Sequence, residues 1–205
     1  MNFLAHLYLS PDTPDALIGS LLGDFVKGPV ERAGYNDEIT RAIRLHRAID
    51  TFTDAHPVFA ASKARVSPAR RRYAGILVDL FYDHFLARHW HDYHGQHLET
   101  FAADIYGMLL DRAAGLPEPA GRMVTFMARQ DWLVSYREVD AVGAALERMG
   151  RRLTRGNALL GSIEDLESAY AGFEADFRAF MPEVATFALS RSTVTDRQVP
   201  LTPHA

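Results

Sequence analysis

In Leu45-His46-Arg47-Ala48-Ile49-Asp50 an imidazole and a carboxylate stand four residues apart, and Asp54 follows after four more. On a helix these three share one face, which gives a row of one nitrogen and two carboxylate donors of the kind a hard divalent ion accepts. By itself such a row also fits a surface hydrogen-bonded pair. A second segment, Leu77 to Leu86, sets Asp79 and Asp83 four apart, with His84 beside them, in one of the most apolar stretches of the chain. Burying carboxylates there costs several kcal/mol unless they are paired, hydrogen-bonded or metal-bound. Internal salt bridges to Arg47 or Arg88 are the competing explanation. Asp24 is a third acid among apolar residues, in Gly19 to Gly28; the glycines permit close helix packing that would let it reach the same site, and a bond to Lys27 is the simpler alternative. His6 lies in the apolar segment Asn2-Phe3-Leu4-Ala5-His6 and reads, on its own, as a core histidine. His89, His91, His94 and His97 follow neither a helical face nor a zinc-site spacing, so they read as loop residues.

The chain has 205 residues and no cysteine, which excludes thiol catalysis and thiolate metal sites. Carboxylate and imidazole donors without thiolate favour Mn²⁺, Mg²⁺ or Fe²⁺ over structural zinc. With 48% hydrophobic and 23% charged residues, and with 12 Phe, 8 Tyr and 2 Trp, the composition is that of a globular protein able to bury one sizeable core. A net charge of −4 argues against a surface that grips nucleic acid throughout, although Arg70-Arg71-Arg72 forms a local basic cluster. Met1 to Leu9 is apolar but has no basic leader and runs into Pro11-Asp12-Thr13-Pro14, so neither a signal peptide nor a membrane span is expected and cytoplasm is the default.

Turn residues divide the chain into helix-sized pieces. Apolar spacing predicts a helix from about Pro14 to Gly28, a second from Asp37 to Thr53 that stops before His56-Pro57, and a long one opened by Ser67-Pro68 and ending near Trp90. Further helices are expected at Leu98 to Arg112, Ala120 to Gln130, Val139 to Arg152 and Ser162 to Phe180, with a short last one from Pro182. No segment shows sustained β alternation, and no glycine-rich phosphate loop follows a strand. The expectation is an all-α, compact multi-helix bundle, a single domain over residues 1–189, with a polar tail over 190–205.

At these residues the sequence resembles the acyl carrier protein phosphodiesterase family, helical relatives of the HD-type metal phosphohydrolases. The resemblance is carried by Met1-Asn2-Phe3-Leu4-Ala5-His6-Leu7, by Leu21 to Gly28, by Leu45 to Asp50 with Thr53-Asp54, and by Asp79 through Asp83-His84-Phe85-Leu86 with Arg88-His89-Trp90. It extends more loosely through Asp131-Trp132-Leu133 and Tyr136. It implies an HD-like fold, a divalent metal, typically manganese, and hydrolysis of holo-acyl carrier protein to the apo-protein and 4'-phosphopantetheine. Joined to the residue reading, this makes Asp24, His46, Asp50, Asp79 and Asp83 the expected metal ligands. His6 or His84 would be the acid that protonates the leaving serine, and Arg47 would stabilise charge on the phosphate. The acidic carrier protein would meet Arg70-Arg71-Arg72. A phosphohydrolase of nucleotides or other small phosphoesters, and a helical partner-binding module without catalysis, are the alternatives.

Overall fold

A computed structural model describes residues 1–152 and 159–196; of the tail expected over 190–205, residues 190–196 continue the last helix instead, and the rest lies outside the described residues. The helices in chain order are α1 (Phe3–Tyr8), α2 (Pro14–Leu22), α3 (Asp37–Ala55), α4 (Pro57–Arg65), α5 (Ala74–Arg88), α6 (Leu98–Arg112), α7 (Glu118–Arg129), α8 (Trp132–Ser135), α9 (Val139–Arg152), α10 (Ile163–Ser168) and α11 (Tyr170–Asp196). Short 3-10 turns at Val30–Arg32, Pro68–Tyr73, Trp90–Asp92 and Ala113–Gly115 join several of them. Among the described residues there is no strand, and the all-α expectation stands. No helix in this range is long and apolar enough to cross a membrane.

Helix α5 runs through the centre. Leu77, Val78, Leu80, Phe81, Tyr82, Phe85 and Leu86 are buried on all its sides, which explains why its sequence shows no polar stripe. It is packed by α1, α4, α9 and α11. Against it and α4, α11 brings Phe173, Phe177 and Phe180, whose rings meet Phe81, Tyr82, Phe85 and Phe59. Helices α2 and α3 share the most extensive contact of any pair among the described residues. A Cβ on Gly19 would stand 2.5 Å from the Ala42 Cβ, so only glycine allows this approach. Asn36 caps α3 by accepting from the Ile39 amide, and Thr13 caps α2 by accepting from the Ala16 amide.

Three elements differ from the sequence expectation for identifiable reasons. His56-Pro57 ends α3 and at once begins α4, because proline is as well suited to the first position of a new helix as to ending the old one. Pro68 opens a 3-10 turn rather than the α-helix itself, which starts at Ala74. Pro182 lies inside α11 instead of starting a new helix; its missing donor falls on an exposed position, where solvent can serve the freed carbonyl, and the helix continues to Asp196.

Candidate functional site

Helices α1, α2, α3 and α5 converge on one group of ionisable side chains. His46 and Asp50, one turn apart on α3, meet His6 from α1. The Nε2 of His6 is 3.1 Å from Asp50 Oδ1, and the Nε2 of His46 is 3.3 Å from Asp50 Oδ2. The two imidazoles stack with centroids 3.7 Å apart and planes 16° from parallel. Asp24, just past the end of α2, places Oδ1 3.6 Å from the His46 Nε2. Gly23 makes room for this arrangement, since a Cβ there would lie 2.2 Å from His46 ring carbons. On the other side, the Met1 amine bridges Asp50 at 3.2 Å and Asp79 of α5 at 3.1 Å.

The histidine rings are buried, whereas the side chains of Asp24 and Asp50 are 54% and 40% exposed, so the cluster opens to solvent on its carboxylate side. Ligand atoms of His6, His46 and Asp50 lie within 4.8 Å of one another, the one group of this kind found among the described residues. The Nδ1 atoms of both rings are buried without a hydrogen-bond partner among these residues. Each ring is thus held only through Nε2, from the side where the carboxylates converge.

The electrostatics fit a cation at that point. Burial, and to a lesser extent the neighbouring His46 and the Met1 ammonium, bring the His6 pKa down to about 4, so near neutral pH the ring is uncharged and can offer an Nε2 lone pair in the tautomer protonated at Nδ1. Burial acts in the same direction on His46, but Asp24 and Asp50 outweigh it and raise that imidazole to about 9. Burial pushes Asp50 up, yet hydrogen bonds from both histidines and the Met1 ammonium hold it well below the usual carboxylate range. Asp79 is raised, chiefly by burial. Two imidazole nitrogens with one or two carboxylates form a donor set that could hold a divalent cation, and the proton held by His46 is what such an ion would replace.

The structure gathers His6, Asp24, His46, Asp50 and Asp79 and gives the remaining expected residues other partners. Asp83 is fully buried, and its Oδ2 and Oδ1 accept from the amides of Leu4 and Ala5 at 2.9 and 3.0 Å. Burial moves its carboxyl up to about 7, opposed by those two amides. The His84 nitrogens lie 2.8 Å from the Tyr136 carbonyl and 2.8 Å from the Tyr170 hydroxyl, so both are engaged away from the cluster. A helical period explains this: His84 is one residue beyond Asp83 and therefore points about 100° away from it. Arg47, expected to face phosphate, donates instead to the carbonyls of Gly28 and Val26 at 2.8 and 2.7 Å and ties down the loop behind Asp24. Asp54 is exposed and 3.9 Å from Lys63. His89 pairs with Glu174 at 2.7 Å. His6, which on its own reads as a core histidine, stands inside the cluster, and the close packing expected of the glycines around Asp24 is met at Gly23 against His46.

Comparison with known proteins agrees with the sequence resemblance. The profile of the family described as acyl carrier protein phosphodiesterase matches residues 1–184. Proteins named acyl carrier protein phosphodiesterase are similar along nearly their whole length. The one from Photorhabdus laumondii is 36% identical over 89% of this chain and 92% of its own, and the one from Pectobacterium atrosepticum is 35% identical over 92% and 97%. The Serratia proteamaculans protein is 36% identical over 90% and 95%. No solved structure matches at a significant level, so the HD-like kinship rests on the sequence resemblance alone. The profile match and the near full-length relatives together show that this chain belongs to the acyl carrier protein phosphodiesterase family.

Proposed function

We propose that the protein hydrolyses the phosphodiester that joins 4'-phosphopantetheine to the serine of holo-acyl carrier protein, with one divalent cation, Mn²⁺ by preference over Mg²⁺ or Fe²⁺, held by His6, His46 and Asp50. The observation that carries this reading is the convergence of two buried imidazoles and a carboxylate, on the solvent-open side of which Asp24 offers a fourth donor. A divalent ion in this position supplies Lewis-acid charge and acidifies water for attack on phosphorus. The chain's own residues explain why a cation is needed: Asp24, Asp50 and Asp79 crowd the site, and they would repel an anionic phosphodiester. Asp50 touches both imidazoles and so fixes their mutual orientation. Asp79, paired with the Met1 amine, closes the site on the α5 side. A cytoplasmic location goes with a carrier-protein substrate.

The carrier protein would approach over the start of α5. Arg70 is turned inward, 3.4 Å from Glu164 and 3.6 Å from Asp165, which leaves Arg71 and Arg72 exposed and without an ion pair among the described residues. Ile76, 45% exposed, is three residues before Asp79 on the same side of α5. An apolar residue with two cations behind it suits an acidic protein surface that carries an apolar anchor. The reading is tested with holo-acyl carrier protein, nucleotides and a small phosphodiester as parallel substrates. Asp50→Ala should abolish turnover of the carrier protein, and R71E/R72E should raise its KM several-fold in a salt-sensitive way while leaving small-diester hydrolysis intact. Turnover of nucleotides without release of phosphopantetheine would contradict the assignment.

A further inference from the structure

Helix α1 delivers His6 to the cluster, yet at six residues it is far below the roughly 12–15 needed for an isolated helix to persist in water. Its N-cap residue, Asn2, makes no side-chain capping bond. The first-turn amides of a helix have no partner inside the helix and, when buried, must find one elsewhere. Here they find it on another element: the Asp83 carboxylate, from the middle of α5, accepts the Leu4 and Ala5 amides with one oxygen each. The second tether is on the His6 residue itself, whose carbonyl accepts from Ser20 Oγ of α2 at 2.9 Å. These three buried hydrogen bonds, two to α5 and one to α2, hold the backbone at and just before His6. Asp83 itself is fully enclosed and does not belong to the donor group.

We infer that Asp83 is a positioning residue rather than a metal ligand: by capping α1 from α5 it fixes the height and rotation at which His6 presents Nε2 to Asp50 and to a bound cation. The inference rests on the metal reading of the cluster. Its logic is that of partners that orient a ligand without touching the ion, whose loss costs roughly 10- to 100-fold in metal affinity. An asparagine at 83 would keep the shape but accept only one of the two amides, because its NH₂ group would face the other N–H.

The test uses the full-length protein. Mn²⁺ affinity is followed by the electron paramagnetic resonance signal of the free ion, and the His6 ring proton by NMR of the metal-free protein, where stacking on His46 shifts it upfield. Asp83→Asn should retain its helical circular dichroism, weaken Mn²⁺ binding by roughly 10- to 100-fold, and move the His6 proton toward its unstacked position. In a His6→Ala background, Asp83→Asn should weaken Mn²⁺ no further. Wild-type Mn²⁺ affinity in a folded Asp83→Asn protein would overturn the inference, as would multiplying effects of the two substitutions, which would mean that Asp83 acts on the ion directly. If Asp83→Asn does not fold, Asp83→Glu keeps the carboxylate but moves it by one methylene, and should shift the His6 proton and weaken Mn²⁺ binding in the same direction; an unchanged His6 signal there would also overturn it. If the wild-type protein binds no Mn²⁺, the metal reading fails, and the displaced or undisplaced His6 proton still decides the positioning role.

Discussion

His46 is raised to about 9 by two carboxylates that outweigh its burial, so near neutral pH its Nε2 carries a proton that a cation must displace. Below about 9 the protonated form dominates and competes with the ion, so Mn²⁺ affinity should rise roughly tenfold per pH unit from about 6 and level off near 9, because each ion bound releases one proton. His6, lowered to about 4, is already neutral there and adds no second proton. Isothermal titration in buffers of different ionisation enthalpy counts the released proton. A pH-independent affinity over this range would contradict the assignment of His46 as a ligand. Gly23 provides a second prediction at this scale. A methyl group would fall 2.2 Å from His46 ring carbons, so Gly23→Ala must push the ring away from Asp50. It should cost about 1–3 kcal/mol in stability by overpacking and a tenfold or larger share of Mn²⁺ affinity, read by denaturant melts and metal titration.

The elements that carry the site were legible to different degrees. The i, i+4 spacing of His46 and Asp50 placed them on one face of α3, and apolar spacing with the stop before His56-Pro57 placed α3 itself, so this half of the cluster could be read directly. The same rule says less about Asp83. Spacing shows that Asp79 and Asp83 share a face of α5, but it does not show that a short N-terminal helix lies across that face and takes the second carboxylate as its cap. Helix α1 escaped notice because six residues are too few for a visible period, and α4 because its initiating proline reads equally as a stop. Away from the site, α4 is tied to α5 and α11 through Ser62. Its Oγ lies 2.9 Å from the Tyr82 hydroxyl and donates to Asp176 at 2.8 Å, and Arg65 forms a bidentate pair with Asp176. Ser62→Ala orphans a buried hydroxyl and should destabilise the fold by about 1–3 kcal/mol, read by thermal melts, with Mn²⁺ affinity unchanged. A change in metal binding would show that α4 and α11 couple to the cluster.

At the scale of the molecule, an aromatic core centred on α5 holds the α-helices, and the site forms where α1, α2 and α3 meet one flank of α5. Composition and helical periodicity were sufficient for the all-α class because neither depends on long-range packing. The convergence of His6, His46 and Asp50 does depend on it, since 40 residues separate the two histidines in the sequence. Only the tertiary arrangement makes them neighbours. The central claim is that this cluster, loaded with a divalent ion, releases phosphopantetheine from a carrier protein. The most direct measurement is the intact mass of holo-acyl carrier protein after incubation with the chelator-stripped protein, with and without added Mn²⁺. The carrier should lose the mass of 4'-phosphopantetheine only when Mn²⁺ is present, and His46→Ala should prevent the loss. An unchanged carrier mass with Mn²⁺ present, or equal loss in the stripped protein without it, would rule out a metal-dependent phosphodiesterase at this cluster.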